Sequence, residues 1–271
     1  MNPLAGKIAI VTGGLSGIGY SIAQQLQASG AQVVIASRSY TNTGLADTEP
    51  LHDYIDTSAT ANKDSPAMLG ASLDVTNTES IKRLADQVHD RLGGIDILIN
   101  AAGISLSTAI DNHSDTEWES VIDTNLNGAF RMTRLAIPDM KSKGWGRIVN
   151  IGSTAAETGH IGNAAYCASK AGMLGLTRCM ALEGAADGIT CNMVSPTWVD
   201  TPMMRNSMQL LVEQGEQFQT VEAAMRAVAA ENPQKRVIKS DEIAALVAFL
   251  CSEHARGITM ENIQVTGGAL W

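Results

Sequence analysis

The chain has 271 residues, of which 45% are hydrophobic, and its formal net charge is −9. This length and apolar fraction suit one α/β domain and exclude a disordered or collagen-like chain. Nucleic acids and anionic membranes select basic surfaces, so an acidic chain favours neither partner. The most apolar run, Ala244 to Cys251, spans eight residues, well short of the roughly 18 that a membrane helix needs.

The N-terminus and the cysteines predict a cytoplasmic protein. The first residues lack a basic leader and a small-residue cleavage site. The four cysteines form no C-x-x-C pair, which disfavours structural zinc and dithiol chemistry, and reduced thiols are typical of the cytoplasm. Because no His, Cys and carboxylate cluster has ligand spacing, we expect no metal site.

Short β-rich runs alternate with longer helical stretches along the whole chain. The predicted strands are Ile8–Thr12, Gln32–Ser37, Met68–Asp74, Ile95–Asn100, Arg147–Gly152, Ile189–Ser195 and Asn262–Val265, and the predicted helices are Ile18–Ser29, Thr78–Leu92, Thr116–Lys141, Ala165–Ala186 and Asp241–Ser252. Several strand runs are almost continuously apolar, as in parallel strands covered on both faces. The pattern predicts one α/β domain over 1–271, a doubly wound Rossmann fold with a seven-stranded, mostly parallel sheet and helices on both faces.

Two stretches break this rhythm. Ser39–Pro66 is polar, and we expect a helix near Leu51–Ala61 with loops around it. Asp200–Pro233 is rich in methionine and predicts one or two amphipathic helices after the sixth strand. Because ligands bind outside the carboxyl ends of such strands, residues 200–233 are a candidate substrate lid. Packing against the body of the protein or against another subunit explains the same pattern equally well.

A glycine-rich turn follows the first strand. Gly13, Gly17 and Gly19 give the pattern G-x-x-x-G-x-G between a strand and a helix. Glycines permit a tight turn and close approach of a pyrophosphate, and the helix N-terminus supplies free N–H groups. The position of the turn favours a nucleotide over the alternative, a turn that merely needs glycines.

The end of the second strand bears on the choice of nucleotide. Dinucleotide folds often place a carboxylate there for the adenosine ribose, whereas this chain has Ser37 and Arg38. A guanidinium can hold a 2′-phosphate, so the pattern favours NADP(H) over NAD(H). A solvated surface arginine is the alternative, and Asp47 is the nearest acid downstream.

Ser153, Tyr166 and Lys170 form the candidate catalytic set. Ser153 follows a strand, and Tyr166 and Lys170 lie four positions apart, on one face of a helix. A nearby ammonium should lower the pKa of the phenol, which could then exchange a proton with a hydroxyl or carbonyl oxygen. Ser153 can hydrogen-bond the same oxygen. A Y-x-x-x-K pair alone is usually a solvated helix face; the glycine turn and the serine make it specific.

With these motifs the chain resembles a short-chain dehydrogenase/reductase of the compact, single-domain type, from Lys7 to the C-terminus. The motifs are T-G-x-x-x-G-I-G at 12–19, Asp74-Val75, Asn100-Ala101-Ala102-Gly103, Asn125 in N-L-N-G, Ser153, Y-x-x-x-K at 166–170 and Ser195-Pro196-Thr197. The resemblance is weakest over 39–66 and 204–235. The family commonly has Pro-Gly where this chain has Pro196-Thr197.

The resemblance implies a role for each matching residue. Tyr166 would be the general acid/base, Lys170 would also bind the nicotinamide ribose, and Asn125 would hold a water that links Lys170 to solvent. The implied catalytic residues are Asn125, Ser153, Tyr166 and Lys170. The expected cofactor-binding residues are Gly13, Ser16, Gly17, Ile18, Gly19, Ser37, Arg38, Asp74, Val75, Asn100, Ala101, Gly103, Tyr166, Lys170, Pro196, Val199 and Thr201.

Some of these assignments have structural alternatives. Asp74 and Asn100 each end an apolar strand, so both side chains should emerge at the ligand-bearing edge. Asp74 would bind the adenine amino group; as a helix N-cap it is a poorer choice than Thr76 or Asn77. A buried amide bonded to backbone is the alternative for Asn125.

The expected function is hydride transfer between NADP(H) and a small secondary alcohol or ketone. Similar family members are the 3-oxoacyl-thioester and polyketide ketoreductases, and the 3-hydroxybutyrate and cyclic-alcohol dehydrogenases. An NAD-dependent dehydrogenase and a catalytically silent nucleotide sensor remain alternatives. We expect a homo-oligomer, a tetramer or a dimer, formed through the helices in Thr116–Lys141 and Ala165–Ala186. Trp198 and Trp271 are candidates for substrate contact or for packing.

Overall fold

Eight strands form one sheet in the computed structural model of the protein, which describes residues 2–38, 51–54, 67–213, 215 and 218–269. The strands are β1 (Ile8–Thr12), β2 (Gln32–Ser37), β3 (His52–Asp53), β4 (Leu69–Ser72), β5 (Ile97–Asn100), β6 (Gly146–Ile151), β7 (Ile189–Pro196) and β8 (Asn262–Val265). The helices are α1 (Gly17–Ala28), α2 (Thr78–Leu92), α3 (Asp115–Ile122), α4 (Gly128–Lys143), α5 (Ala164–Gly184), α6 (Pro202–Glu213), α7 (Val221–Glu231) and α8 (Ser240–Cys251).

The strand order is β3-β4-β2-β1-β5-β6-β7-β8, and every neighbouring pair is parallel except β3 with β4. The seven predicted strands are therefore confirmed, as is the doubly wound Rossmann fold. The chain leaves β1 first towards β2 and later towards β5, so the strand order reverses beside β1. Such a switch point opens a crevice at the carboxyl ends of the strands, where ligands bind in this architecture.

The predicted count of seven strands is wrong by one. The additional strand β3 pairs antiparallel with the edge of the sheet, and the Tyr54 amide donates to the Met68 carbonyl at 2.8 Å. Arg91, near the end of α2, donates to the Leu51 carbonyl and pairs with Asp53 at 3.1 Å. The helix predicted near Leu51–Ala61 is thus wrong over 51–54, and residues 55–61 lie outside the described part of the chain.

The predicted helix Thr116–Lys141 is divided rather than continuous. A π-helical segment, Asp123–Asn127, separates α3 from α4. The wider π turn rotates its residues relative to an α-helix, and such segments occur often at functional sites. Here the segment contains Asn125.

Apolar layers cover both faces of the sheet. In β1, Ala9 and Val11 pack with α1 and α8, whereas Ile10 between them packs with residues of α2 and α4. Successive strand residues point to opposite faces, so burial of both sets explains why the run is continuously apolar. The core is built almost without aromatic residues, in keeping with an aromatic content of 4%.

The Met-rich stretch folds as two helices, α6 and α7, with a small apolar cluster of their own. Met204, Met208 and Ala224 are buried between them, and Trp198 packs against this cluster. Packing is therefore the role the structure gives Trp198; Trp271 lies outside the described residues. Among the helices described, none combines the length and the apolarity needed to cross a bilayer.

Candidate active site

In the turn after β1, the close approach of neighbouring backbone segments requires glycine. Gly13 and Gly17 have φ angles of +66° and +53°, which favour glycine. A Cβ on Gly13 would lie 2.9 Å from the Ala101 carbonyl oxygen, and one on Gly19 would lie 2.4 Å from the Gly13 oxygen. The turn therefore tolerates no side chain at these positions.

The N-terminus of α1 fits a phosphate group. Its N-cap, the exposed Ser16, makes no capping hydrogen bond within the described structure, and its first turn carries no acidic residue. The first amides of α1, from Gly17, Ile18 and Gly19, thus lack a capping partner at the positive end of the helix dipole. These residues would hold the pyrophosphate of a dinucleotide.

Thr12 joins this turn to the loop after β5. Its hydroxyl donates to the Ile99 carbonyl at 3.3 Å and accepts from the Ala101 and Ala102 amides, each at 3.1 Å. Thr12 belongs to the motif at 12–19, but the sequence does not predict this role for its hydroxyl. A buried threonine beside a glycine turn was the available signal, but its partners lie 87 to 90 residues away.

Ser153, Tyr166 and Lys170 are brought together at the carboxyl edge of the sheet. Ser153 follows β6 and accepts from the Ala155 amide at 3.2 Å, and it is close enough to the Tyr166 phenol to lower the pKa of that phenol. Lys170 Nζ lies 5.6 Å from the centroid of the Tyr166 ring and donates to the Ile151 carbonyl at 2.8 Å. A strand end and one helix face thus place a hydroxyl, a phenol and an ammonium around one point.

The electrostatics of this cluster differ from the sequence-based expectation. Burial raises the pKa of the Tyr166 phenol, and the neighbouring Ser153 hydroxyl only partly opposes that rise. Burial lowers the pKa of Lys170 to about 8. The prediction that Lys170 lowers the pKa of Tyr166 is therefore wrong for this structure, because desolvation of both groups is the dominant effect. At neutral pH Tyr166 holds its proton.

Asn125 connects the loop after β5 with α5. Its Nδ2 donates to the Ile104 carbonyl at 2.9 Å and to Ser169 Oγ at 3.0 Å, and its Oδ1 accepts from the Ile104 amide at 2.8 Å. The fully buried amide is thus bonded to backbone, the alternative that the sequence left open. Its Oδ1 and Lys170 Nζ would lie 3.3 and 3.8 Å from a Cβ on Gly103, so Asn125 and the Lys170 amine lie on the same side of that residue.

Asp74 follows β4, and its Oδ1 accepts from the Thr76 amide at 2.9 Å and the Thr76 hydroxyl at 2.7 Å. Asn77, not Asp74, caps α2 by accepting from the Glu79 and Ser80 amides. Val75 is buried against Gly128, where a Cβ would lie 2.7 Å away.

At the end of β2, Ser37 is half-buried and Arg38 is exposed. Both lie at the carboxyl edge, where an adenosine ribose would bind. Asp47 is outside the described residues.

Asn100 does not emerge at the edge as expected. It is 3% exposed, and its Nδ2 donates to Asn150 Oδ1 at 2.8 Å and to Thr133 Oγ1 at 3.3 Å. Strand alternation explains the difference: Ile99 points to the layer of α1 and α8, so Asn100 points into the opposite layer. The backbone of the next residue, Ala101, borders the glycine turn.

The segment after β7 faces the glycine turn. Pro196 ends the strand, Val199 pairs with Ile238, and the Thr201 methyl group would lie 3.2 Å from a Cβ on Gly17. The crevice is therefore closed on this side by residues 196–201.

His160, in the loop before α5, has its Nε2 at 3.4 Å from Thr158 Oγ1. Within the described residues, no three His, Cys, Asp or Glu side chains are grouped as metal ligands.

Curated sequences similar to this chain include two bacterial oxidoreductases that it matches almost end to end. The 3-oxoacyl-[acyl-carrier-protein] reductase of Vibrio cholerae is 36% identical over 265 residues, covering 98% of each chain. The D-beta-hydroxybutyrate dehydrogenase of Cupriavidus necator is 34% identical over 275 residues, 99% of this chain and 96% of the other.

Solved structures give the same result. A variant of actinorhodin polyketide ketoreductase, crystallised with NADPH, has a TM-score of 0.85 and 33% identity, covering 97% of this chain and 96% of the other. The ligand-free aldohexose dehydrogenase of Thermoplasma acidophilum has a TM-score of 0.81 and 32% identity, covering 98% of this chain and 94% of the other.

A family model described as "Enoyl-(Acyl carrier protein) reductase" matches residues 13–269. The chain belongs to the short-chain dehydrogenase/reductase family of oxidoreductases.

Proposed function

We propose that the protein transfers hydride between NADP(H) and a small secondary alcohol or ketone, with Tyr166 as the acid/base catalyst. The observation that supports this most directly is that Ser153, Tyr166 and the buried amine of Lys170 lie together at the carboxyl edge of the sheet. A phenol, a hydroxyl and a cation at one point can hold a carbonyl oxygen and move a proton to it.

In the reducing direction, the hydroxyls of Ser153 and Tyr166 hold the carbonyl oxygen of the substrate. Tyr166 then gives that oxygen its proton, which the raised pKa keeps on the phenol at neutral pH. Lys170 stabilises the phenolate that remains, since a nearby cation favours the charged form. The nicotinamide, when bound, supplies the hydride to the carbonyl carbon. In the oxidising direction the same phenol oxygen receives the proton of the alcohol.

Arg38 is the basis for preferring NADP(H). An exposed guanidinium at the end of β2 can form a charge-assisted fork with a 2′-phosphate. The structure of actinorhodin polyketide ketoreductase with NADPH supports this choice. A second candidate is an NAD(H)-dependent hydroxy-acid dehydrogenase, which the 34% identity to the D-beta-hydroxybutyrate dehydrogenase of Cupriavidus necator favours.

The proposal extends to the surroundings of the site. We assign residues 200–233 as a substrate lid, because α6 and α7 share their own apolar cluster just after β7. Exposed Trp118, Phe130 and Leu182 on α3, α4 and α5 support a homo-oligomer, a tetramer or a dimer. The buried thiols of Cys191 and Cys251, whose pKa values burial raises to about 12, are unpaired, as is typical of a cytoplasmic protein.

Two measurements test the function. Binding of NADPH and NADH is titrated side by side for the native protein and for Arg38→Ala; the variant should lose affinity for NADPH and keep that for NADH. Turnover of a panel of ketones is followed at about 340 nm, the nicotinamide absorbance band. Tyr166→Phe should bind the cofactor but lose nearly all turnover, whereas Tyr54→Phe should remain active. A fully active Tyr166→Phe protein contradicts the mechanism, and cofactor binding without turnover across the panel favours a silent sensor.

A further inference from the structure

We propose that Glu157 is a positioning residue, which fixes the Ser153 hydroxyl by clamping its turn to the edge strand β8. The inference rests on the proposed function and adds residues that none of the motifs above contains. Ser153 starts a single 3-10 turn, Thr154–Ala156, and Glu157 is the residue that ends it. A single turn has few bonds of its own, so its position depends on what holds its two ends.

The far end of the turn is held by two carboxamides from β8. Asn262 Nδ2 donates to Glu157 Oε1 and Gln264 Nε2 donates to Glu157 Oε2, both at 2.7 Å. Asn262 and Gln264 are alternate residues of one strand and therefore point to the same face of the sheet. Each carboxylate oxygen receives its own charge-assisted hydrogen bond, so the contact fixes the orientation of the carboxylate as well as its position.

The near end of the turn reaches the same asparagine by another route. Asn262 Oδ1 accepts from Ser195 Oγ at 2.6 Å. Ser195 Oγ in turn lies 2.6 Å from where a Cβ on Gly152 would be, and the Gly152 amide donates to the Val194 carbonyl at 2.8 Å. Glu157 is thus bonded to Asn262 directly, and Gly152 lies beside the Ser195 hydroxyl that donates to Asn262, with Ser153 between the two.

The strand that receives the clamp also supports the opposite wall of the site. In the register of β7 with β8, Pro196 is the partner of Val265, and the Thr197 amide donates to the Val265 carbonyl at 3.3 Å. The clamp therefore sets the separation between the Ser153 hydroxyl and the 196–201 segment, which contains the expected cofactor-binding residues Pro196, Val199 and Thr201. That separation decides whether the held carbonyl is aligned for hydride transfer.

The clamp is tested by Glu157→Ala, Glu157→Gln and Asn262→Ala in the full-length protein. Glu157→Ala should lower kcat about tenfold through misplacement of the reacting groups, while the Kd for NADPH stays unchanged because the glycine turn is untouched. Glu157→Gln offers one acceptor oxygen instead of two and should lose less. The effects of Glu157→Ala and Asn262→Ala should not add in the double variant, because both remove the same contact.

Two further measurements separate positioning from general stability. Amide hydrogen exchange at residues 152–157 should become faster in Glu157→Ala, a result that needs no substrate. Because Ser153 opposes the rise in the pKa of Tyr166, the alkaline limb of the kcat profile should also move to higher pH. Glu79→Ala, which removes an exposed carboxylate from the first turn of α2, is the matched control and should change neither quantity.

The outcomes distinguish this inference from the proposed function. An active native protein with unchanged kcat and unchanged exchange in Glu157→Ala overturns the clamp and leaves the function intact. A native protein without turnover on any ketone overturns the function, while faster exchange at 152–157 still supports the clamp. A Glu157→Ala protein that loses kcat and NADPH affinity equally contradicts a role in positioning.

Discussion

The buried amine of Lys170 should lower the free energy of unfolding at neutral pH. Lys170 is 5% exposed, and burial lowers its pKa from 10.5 to about 8. At about 1.4 kcal/mol per pKa unit, charging it in the folded state costs about 3 kcal/mol relative to the unfolded chain. Lys170→Met removes this cost and also the hydrogen bond to the Ile151 carbonyl, worth about 1 kcal/mol. The variant should therefore be inactive and about 2 kcal/mol more stable at pH 7.

The stability difference between the native protein and Lys170→Met should depend on pH. Below pH 8 both the folded and the unfolded protein bind the proton, and the full cost of the buried charge is present. Between pH 8 and 10.5 the folded protein has released a proton that the unfolded chain still binds, so the free energy of unfolding rises with pH. Above pH 10.5 the cost has gone. Since Lys170→Met lacks this rise, its stability advantage of about 2 kcal/mol should shrink from pH 8 by about 1.4 kcal/mol per pH unit and reverse near pH 9.5.

The free energy of unfolding is measured by urea denaturation of cofactor-free protein, at one fixed protein concentration, from pH 7 to pH 10.5. Tyr166, Cys191 and Cys251 also titrate at high pH, but they do so in both proteins, so the difference between the two curves isolates Lys170. Lys82→Met, at an exposed position of α2, is the control and should follow the native curve. Parallel curves for the native protein and Lys170→Met would refute the reasoning.

Three further substitutions test the site and the fold. Gly19→Ala should abolish cofactor binding, measured by titration, because its Cβ would lie 2.4 Å from the Gly13 oxygen; native affinity would contradict the geometry. Asn77→Ala should cost about 1 kcal/mol of stability through loss of the α2 cap, with kcat unchanged. Asn150→Ala removes the buried hydrogen bonds that Asn150 makes with the Asn100 amide and the Thr177 hydroxyl and should cost about 2 kcal/mol in urea unfolding; less than about 0.5 kcal/mol would contradict this contribution.

The parts of the fold that the sequence predicts correctly are those encoded within a few residues. The bounds of β1, β2 and β8 follow directly from their β-rich runs, and α2 has the predicted bounds. The strand β3 has only two residues and depends on β4 and on Arg91 of α2. Hydrophobic periodicity is read within a short window of sequence, and the pairing partner of β3 lies outside that window. A polar segment of this kind therefore gives no local indication of an edge strand.

The π segment is a different kind of omission. Residues 116–141 have a helical composition, and nothing in their period marks a wider turn. The tertiary structure explains the π segment: the Asn125 amide hydrogen-bonds both backbone groups of Ile104, which lies in the loop after β5. The helix thus departs from α geometry where a tertiary partner satisfies the polar group it contains.

In the candidate site too, local features can be predicted from the sequence and long-range contacts cannot. The required glycines can be predicted because their constraint is steric and lies largely within the turn, as between Gly13 and Gly19. The clamp on Glu157 cannot, because its donors lie 105 and 107 residues away. The i, i+4 spacing of Tyr166 and Lys170 fixes the face they share but not how much water reaches them. A neighbouring cation lowers the pKa of a phenol only where its field exceeds the cost of desolvation; in this fold Lys170 is buried and Tyr166 is half-buried, desolvation is the larger effect, and the phenol keeps its proton.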